Sequence, residues 1–357
     1  MADFKDIIGQ KDIIRNLKSS IATGRFSHAY IINGETGSGR LMLAEAFART
    51  LLCSGNKEAK EAVKKVIESG TLSEQDSHQL MDSLDACDIC TSCRKADTNS
   101  NPDIIHVTHS KASISVADIR EQIIGTIDYQ PYENEYKVYI VDDAPKMTAE
   151  AQNALLKTLE EPPAYAVIIL LSDSPEKLLD TIKSRCLMIN TKPISRTEIR
   201  NYLEKTLKMD PQDADIAANF CQGNVGRAIR FATSEDFGAM KDQVLDLLKN
   251  INEMDIAAII ERIKIFTADR KNIDDYLDLM LLWFRDVLMF KATKDANLML
   301  YSEEYTAISK EASRRSYEEL ESIIESIKTT KKRLKANVNY DTAMELLVMN
   351  IKDPIVK

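Results

Sequence analysis

Four cysteines carry the most specific chemistry in the chain. Cys87, Cys90 and Cys93 stand in "CDICTSC", a C-x2-C-x2-C run, and Cys53 lies upstream at the end of a helical pattern. Such spacing lets one tight turn present three thiolates while a distant anchor supplies a fourth, the ligand set of a tetrahedral Zn²⁺. No open coordination position is implied, so the expected role of the metal is structural. His78, in the intervening segment, competes with Cys53 for the fourth place. Cys186 and Cys221 stand far from the cluster in sequence.

The second constellation is "GETGSGRL", Gly34 to Leu41, set against the phosphate-binding pattern G-x-x-x-x-G-K-[ST]. Gly34, Gly37 and Gly39 suit a loop that crowds backbone N–H groups around phosphate oxygens at a helix N-terminus. Arg40 occupies the lysine place and Leu41 the place of the Mg²⁺-binding hydroxyl. A guanidinium is a broad planar fork where a compact ammonium is needed, and leucine offers no oxygen. Downstream, "KVYIVDDA" supplies the acidic pair that a phosphate-loop fold requires after an apolar strand. Asp142 takes the metal-associated position, and Asp143 stands where a glutamate would polarise the attacking water. One methylene shorter, Asp143 holds that water out of line. Three changes that act together, at Arg40, Leu41 and Asp143, point to a silent site.

These residues need elements to hold them. "HAYIING" reads as a strand before the loop and "LMLAEAFARTLLC" as a helix after it. Strand "DIIHVTH", helix "VADIREQIIGTI", strand "KVYIVDDA", helix "MTAEAQNALLKTLEEPP" and strand "AYAVIILLSD" follow, with Pro162 and Pro163 halting the last helix. Alternating strands and helices imply a parallel sheet covered on both faces, with ligands at the carboxyl ends of its strands. From about Pro193 the pattern is helical, beginning with "SRTEIRNYLEKTL" and "DADIAANFCQGNVGRAIRFA", the latter broken by the turn "GNVGR". Leu320, Ile323, Ile324 and Ile327 fall at core spacing. The insertion 54–86 is charged and reads as a helical hairpin broken at Ser69-Gly70. "KKRLK", Lys331 to Lys335, reads as a solvated helix face.

With 357 residues, 44% of them hydrophobic, the chain has core enough for two or three domains. A net charge of −9 argues against general affinity for nucleic-acid backbone and points to protein partners. The longest apolar run, "AVIILL", is too short to span a bilayer, and "MADFKD" has no signal-peptide pattern, so a cytoplasmic location is expected.

Taken together, "IIGQ", "HAYIINGETGSGR", "CDICTSC", "YIVDDAPKMTAEAQNALLKTLEEPP", "KSRC" and "GNVGRA" resemble the delta-prime family of bacterial DNA polymerase III clamp-loader subunits, within the AAA+ superfamily. "KKRLKANVNYDTAMELLV" is a looser match, and the long insertion before Cys87 departs from the pattern. The resemblance implies an AAA+ nucleotide-binding fold over 1–191 with a zinc module at about 53–96. A small all-α lid over 192–238 and an all-α collar over 239–357 follow. It implies a hetero-pentameric ring with delta and gamma/tau subunits, acting on a sliding clamp and primed DNA. Arg227 of "GNVGR" joins the degenerate nucleotide-binding set, with ATP or ADP binding left open. In the family the "SRC" arginine reaches the γ-phosphate held by a neighbouring subunit, which makes Arg185 an arginine finger in trans. Without that context, Arg185 would be read as pairing with a carboxylate at its own helix end.

Two other classes stay open at this point. An ATP-hydrolysing gamma/tau-type motor shares the zinc module and "SRC" but should carry the Lys and Ser/Thr that Arg40 and Leu41 replace. A module gripping DNA through the zinc segment should show a basic, aromatic surface, yet "CDICTSCRKADTNSNP" offers only Arg94 and Lys95.

Overall fold

A computed structural model describes residues 1–69, 81–109, 112–233, 235–268, 270, 272–336 and 338–354. The chain divides into two compact units, Met1–Ile199 with Gly223–Arg227, and Arg200–Gln222 with Ala228–Lys357.

The first unit opens with α1 (Lys11–Thr23), β1 (Ala29–Asn33), α2 (Arg40–Leu52), α3 (Lys57–Ser69), α4 (Thr91–Asp97) and β2 (Ile104–Val107). A helical run follows as α5 (Val116–Ile119), a π turn (Arg120–Ile124) and a last turn (Gly125–Ile127). It continues with β3 (Lys137–Val141), α6 (Ala149–Glu160), β4 (Ala166–Ser172), α7 (Asp180–Lys183) and β5 (Leu187–Asn190). The five strands form one parallel sheet in the order β2-β3-β4-β1-β5. All seven residues of β4 are apolar or small and buried, as a central parallel strand covered on both faces demands. Alternate side chains divide between two cores. Tyr30, Ile32, Ile140 and Ile169 meet Leu43 and Phe47 of α2 on one face, while Ile31, Tyr139, Ile168 and Leu170 meet Ile119, Ile123 and Leu155 on the other.

Local signals set the helix ends. Thr148 accepts the Ala151 N–H at 3.2 Å to start α6. Pro162 and Pro163, just past its last residue Glu160, cannot continue it. Because the strands are parallel, the loop after β1 and the acidic pair after β3 emerge at the same edge of the sheet. β4 lies between their strands. Gly34 donates to the Ser172 carbonyl at the end of β4, 2.9 Å away, tying the loop's first residue to that edge.

The second unit is helical: α9 (Pro211–Phe220), α11 (Glu235–Asn250), α12 (Ile256–Ala268), α13 (Ile273–Thr293), α14 (Tyr305–Arg314), α15 (Tyr317–Lys335) and α16 (Tyr340–Lys352), while α8 (Arg196–Lys205) and α10 (Val225–Thr233) each have residues in both units. The central α13 packs on α11, α14 and α15. Trp283, Phe284, Ile308, Leu320, Ile323 and Ile327 are fully buried, whereas Ile324 is half-buried.

Candidate functional site

The loop Gly34–Gly39 and the N-terminus of α2 stand where a phosphate cradle belongs, but Arg40 turns inward. Only 6% of it is exposed. Its guanidinium donates to the Gly34 carbonyl at 2.8 Å and to Asp143 Oδ1 at 3.3 Å. Asp143, with φ of +51°, also accepts from Lys146 Nζ at 2.8 Å. The carboxylate of Asp143, where the sequence leads us to expect a water-polarising group, is therefore held by two cations of its own chain. Asp142 is exposed and accepts the Asp143 N–H at 2.9 Å. Leu41 projects an apolar side chain, 37% exposed, from the first turn of α2.

The turn "GNVGR" closes on the same loop. Asn224 donates to the Thr36 carbonyl at 2.9 Å, and the Gly226 N–H donates to the Gly37 carbonyl at 2.9 Å. Gly37, at φ of +90°, has no room for a side chain, since a Cβ there would lie 2.5 Å from Asn224 Oδ1. Asn224 is thus a partner of the loop that sequence reasoning passed over, although the turn itself is visible in the sequence. Arg227 is half-buried beside it, at the start of α10.

Arg185 sits elsewhere. It precedes β5, whose parallel pairing with β1 sets Leu187 beside Tyr30 and Asn190 beside Asn33. Its end of β5 is therefore the amino end, opposite the edge that carries the phosphate loop. Four residues of strand separate the two by roughly 10 Å or more at about 3.3 Å per residue. The guanidinium is held by Glu160 Oε1 at 2.5 Å and by the Thr181 carbonyl at 2.8 Å. Both charged side chains remain partly open to solvent, so this pair is weak and exchangeable. Glu160 ends α6 within "LEEPP", a stretch whose sequence signals only the helix stop.

The four cysteines converge. The Sγ atoms of Cys53, Cys87, Cys90 and Cys93 all lie within 4.8 Å of one another, and Cys53 and Cys90 are 4.0 Å apart. Four sulfurs at the zinc–thiolate bond length around a tetrahedron stand about 3.8 Å apart, so the cage fits that ion. The N–H groups of Cys87, Cys90 and Cys93 donate to the sulfurs of Cys53, Cys87 and Cys90, each at 3.4 Å. Such bonds favour thiolates. Burial opposes ionisation of Cys90, yet the N–H of Cys93 and the groups of Ser54 outweigh it and bring its pKa down to about 5. Cys93 is pushed up by its neighbour Cys53 and by burial. A divalent cation bound there would favour the thiolate form of its ligands. Cys53 and Cys93 are buried, and Cys87 and Cys90 half-buried. His78, the competing ligand, and Gly70, the expected hairpin break, lie outside the described residues.

A family model described as "DNA polymerase III, delta subunit" matches residues 9–81 and 60–195, together just over half of the 357 residues. The chain belongs to the DNA polymerase III delta-subunit family. Among relatives, the delta' subunit of DNA polymerase III from Bacillus subtilis (strain 168) is 27% identical over 347 residues, covering 96% of each chain. The tau subunit from the same organism is 26% identical over 309 residues, 81% of this chain and 50% of the relative. Among solved structures, a gamma subunit-related protein of DNA polymerase III from Thermotoga maritima is 16% identical with a TM-score of 0.46, covering 97% of this chain and 99% of that chain. Among the described residues, no helix is long and apolar enough to cross a membrane.

Proposed function

We propose that this chain is a non-hydrolysing, delta-prime-type subunit of a DNA polymerase III clamp loader, cytoplasmic, that donates Arg185 to the ATP site of a neighbouring subunit. The observation that carries the reading is the inward fold of Arg40 onto the Gly34 carbonyl and Asp143. A cation turned onto its own loop, Leu41 in place of the Mg²⁺-binding hydroxyl and a neutralised Asp143 leave Asp142 as the one remaining part of the hydrolytic set, with nothing to reach the γ-phosphate or to orient water. Gly34, Gly37, Gly39, Asp142 and Arg227 keep the outline of a nucleotide site whose capacity for ATP or ADP is open. The place of Arg185 supports action in trans, because it faces away from the edge that carries its own loop.

In this reading the strand order belongs to an AAA+-type domain over 1–191, followed by a lid over 192–238 and a collar over 239–357. The partners are delta and gamma/tau subunits in a five-membered ring, with the sliding clamp and primed DNA engaged through the complex. Zn²⁺ held by Cys53, Cys87, Cys90 and Cys93 stabilises the module between α2 and β2 and takes no part in hydrolysis.

Titrating labelled ATP and ADP onto the isolated protein, and measuring turnover with and without the other loader subunits, tests the reading. We expect no turnover by the isolated chain. Steady-state hydrolysis by pure protein, abolished by Asp142→Ala, would make it a motor of the gamma/tau type.

A further inference from the structure

Residues 1–6 lie between α2 and the cysteine module: Phe4 and Met1 pack into the core beside α2, and the polar groups of the segment reach the module. The Phe4 and Lys5 N–H groups donate to Asp85 at 3.3 and 3.0 Å, and Lys5 Nζ bonds Asp88 at 2.6 Å. At the centre of this seam is Arg49 on α2, one turn before Cys53 and 4% exposed. Its guanidinium donates to the Met1 carbonyl at 2.9 Å and pairs with Asp3 at 3.0 Å, Asp88 at 2.8 Å and Asp97 at 2.8 Å. The Cys93 side chain lies against it, and its buried Nε has no hydrogen-bond partner.

Two of those carboxylates belong to the metal turn itself. Asp88 sits between Cys87 and Cys90, and Asp97 shares α4 with Cys93. Four thiolates around one Zn²⁺ leave two negative charges in excess. Two of the four, Cys53 and Cys93, are buried in a core with Ala86 and have little water to disperse that charge. A cation against Cys93 offsets that charge and holds the turn's two aspartates in place.

Resting on the zinc reading above, we propose that Arg49 is the shared counter-ion of the four-cysteine centre and of the segment 1–6, so that metal occupancy and docking of that segment are coupled. Losing the metal frees the turn that carries Asp88 and Asp97. Arg49 and Lys5 then lose their anchors on that turn, and the backbone of the segment opens more readily while Phe4 stays in the core. Arg49 acts through its neighbours and is a positioning residue for the centre.

Hydrogen exchange by mass spectrometry on the full chain tests the coupling, with zinc bound, after zinc is stripped by a chelator under reducing conditions, and in zinc-loaded Arg49→Met and Arg49→Lys. Stripping should speed exchange at Phe4 and Lys5 by about tenfold while the β3 amides keep their protection. Arg49→Met should do the same with zinc still bound and should release zinc to a colorimetric chelator about tenfold faster, the usual scale for loss of an outer-shell partner. Arg49→Lys should fall between. The wild-type comparison decides the coupling even where Arg49→Met does not fold. Unchanged protection of residues 1–6 in stripped wild-type protein overturns it, as does Arg49→Met with wild-type protection and release. A wild-type chain that holds no zinc overturns the metal reading and the coupling with it.

Discussion

Replacing Arg40 by alanine should cost stability in the first unit, and the cost follows from its contacts. The bond from its guanidinium to the Gly34 carbonyl is charge-assisted and 2.8 Å long; such bonds contribute about 1.5–3 kcal/mol. The second contact, 3.3 Å to Asp143, adds little, because that carboxylate is 36% exposed and keeps Lys146. Pairs of this kind are worth about 0–1 kcal/mol. Arg40→Ala should therefore destabilise the unit by about 2–3 kcal/mol. Asp143→Asn should cost less than about 1 kcal/mol. The chain's one tryptophan, Trp283, lies in the second unit, so its fluorescence supplies an internal control. Urea unfolding followed by far-UV circular dichroism and by Trp283 emission should show an early transition moved by Arg40→Ala and an unmoved Trp283 transition. An early transition shifted by less than about 0.5 kcal/mol, or no more than in Asp143→Asn, would refute the view of Arg40 as a staple.

Two further outcomes follow from other sites. Asp286 is fully buried and accepts the Leu300 and Tyr301 N–H groups at 2.7 and 2.8 Å; burial raises its carboxyl pKa although those donors and Arg285 oppose it. The native state therefore holds a proton the unfolded chain has lost, so the stability Asp286 contributes should fall as pH rises from about 4 through its raised value. Asp286→Asn should remove that slope in urea titrations between acid and neutral pH. Cys53→Ser should weaken zinc binding and lower cysteine-module stability, read by elemental analysis and chelator competition, without altering the sheet's circular dichroism.

The parts of the site that are local in sequence were legible there. Gly34 to Leu41 lie in one turn and Cys87 to Cys93 in another, so spacing alone exposes their chemistry. The strands that precede the loop and the acidic pair follow from unbroken apolar runs. β5 was not foreseen, because Leu187–Asn190 is a short edge strand with three of its four residues exposed, and its partner Tyr30 lies far earlier in the chain. Expected as one helix, 116–127 carries a π turn at Arg120–Ile124 that no periodicity announces. Nor does pattern reveal that Asn224 reaches Thr36 across 188 residues, or that Glu160 holds Arg185. Such contacts depend on which strand ends meet, and sheet order is not written in any window of sequence. Arg40 shows the same limit. Its type signals a lost lysine, while its inward direction depends on Gly34 and on Asp143, 103 residues away.

The central claim, a silent loop joined to a donated arginine, is tested most directly by ATP hydrolysis in the reconstituted clamp loader with Arg185→Ala in this subunit. Removing a guanidinium that meets charge on a transferred phosphoryl costs roughly 10³–10⁵ in rate at the site it serves. Sites elsewhere in the ring should keep their activity, so we expect a partial loss of total turnover with normal assembly and an unchanged unfolding curve for the subunit. Wild-type hydrolysis and clamp loading by the Arg185→Ala loader, together with ATP turnover by the isolated wild-type subunit, would contradict the claim.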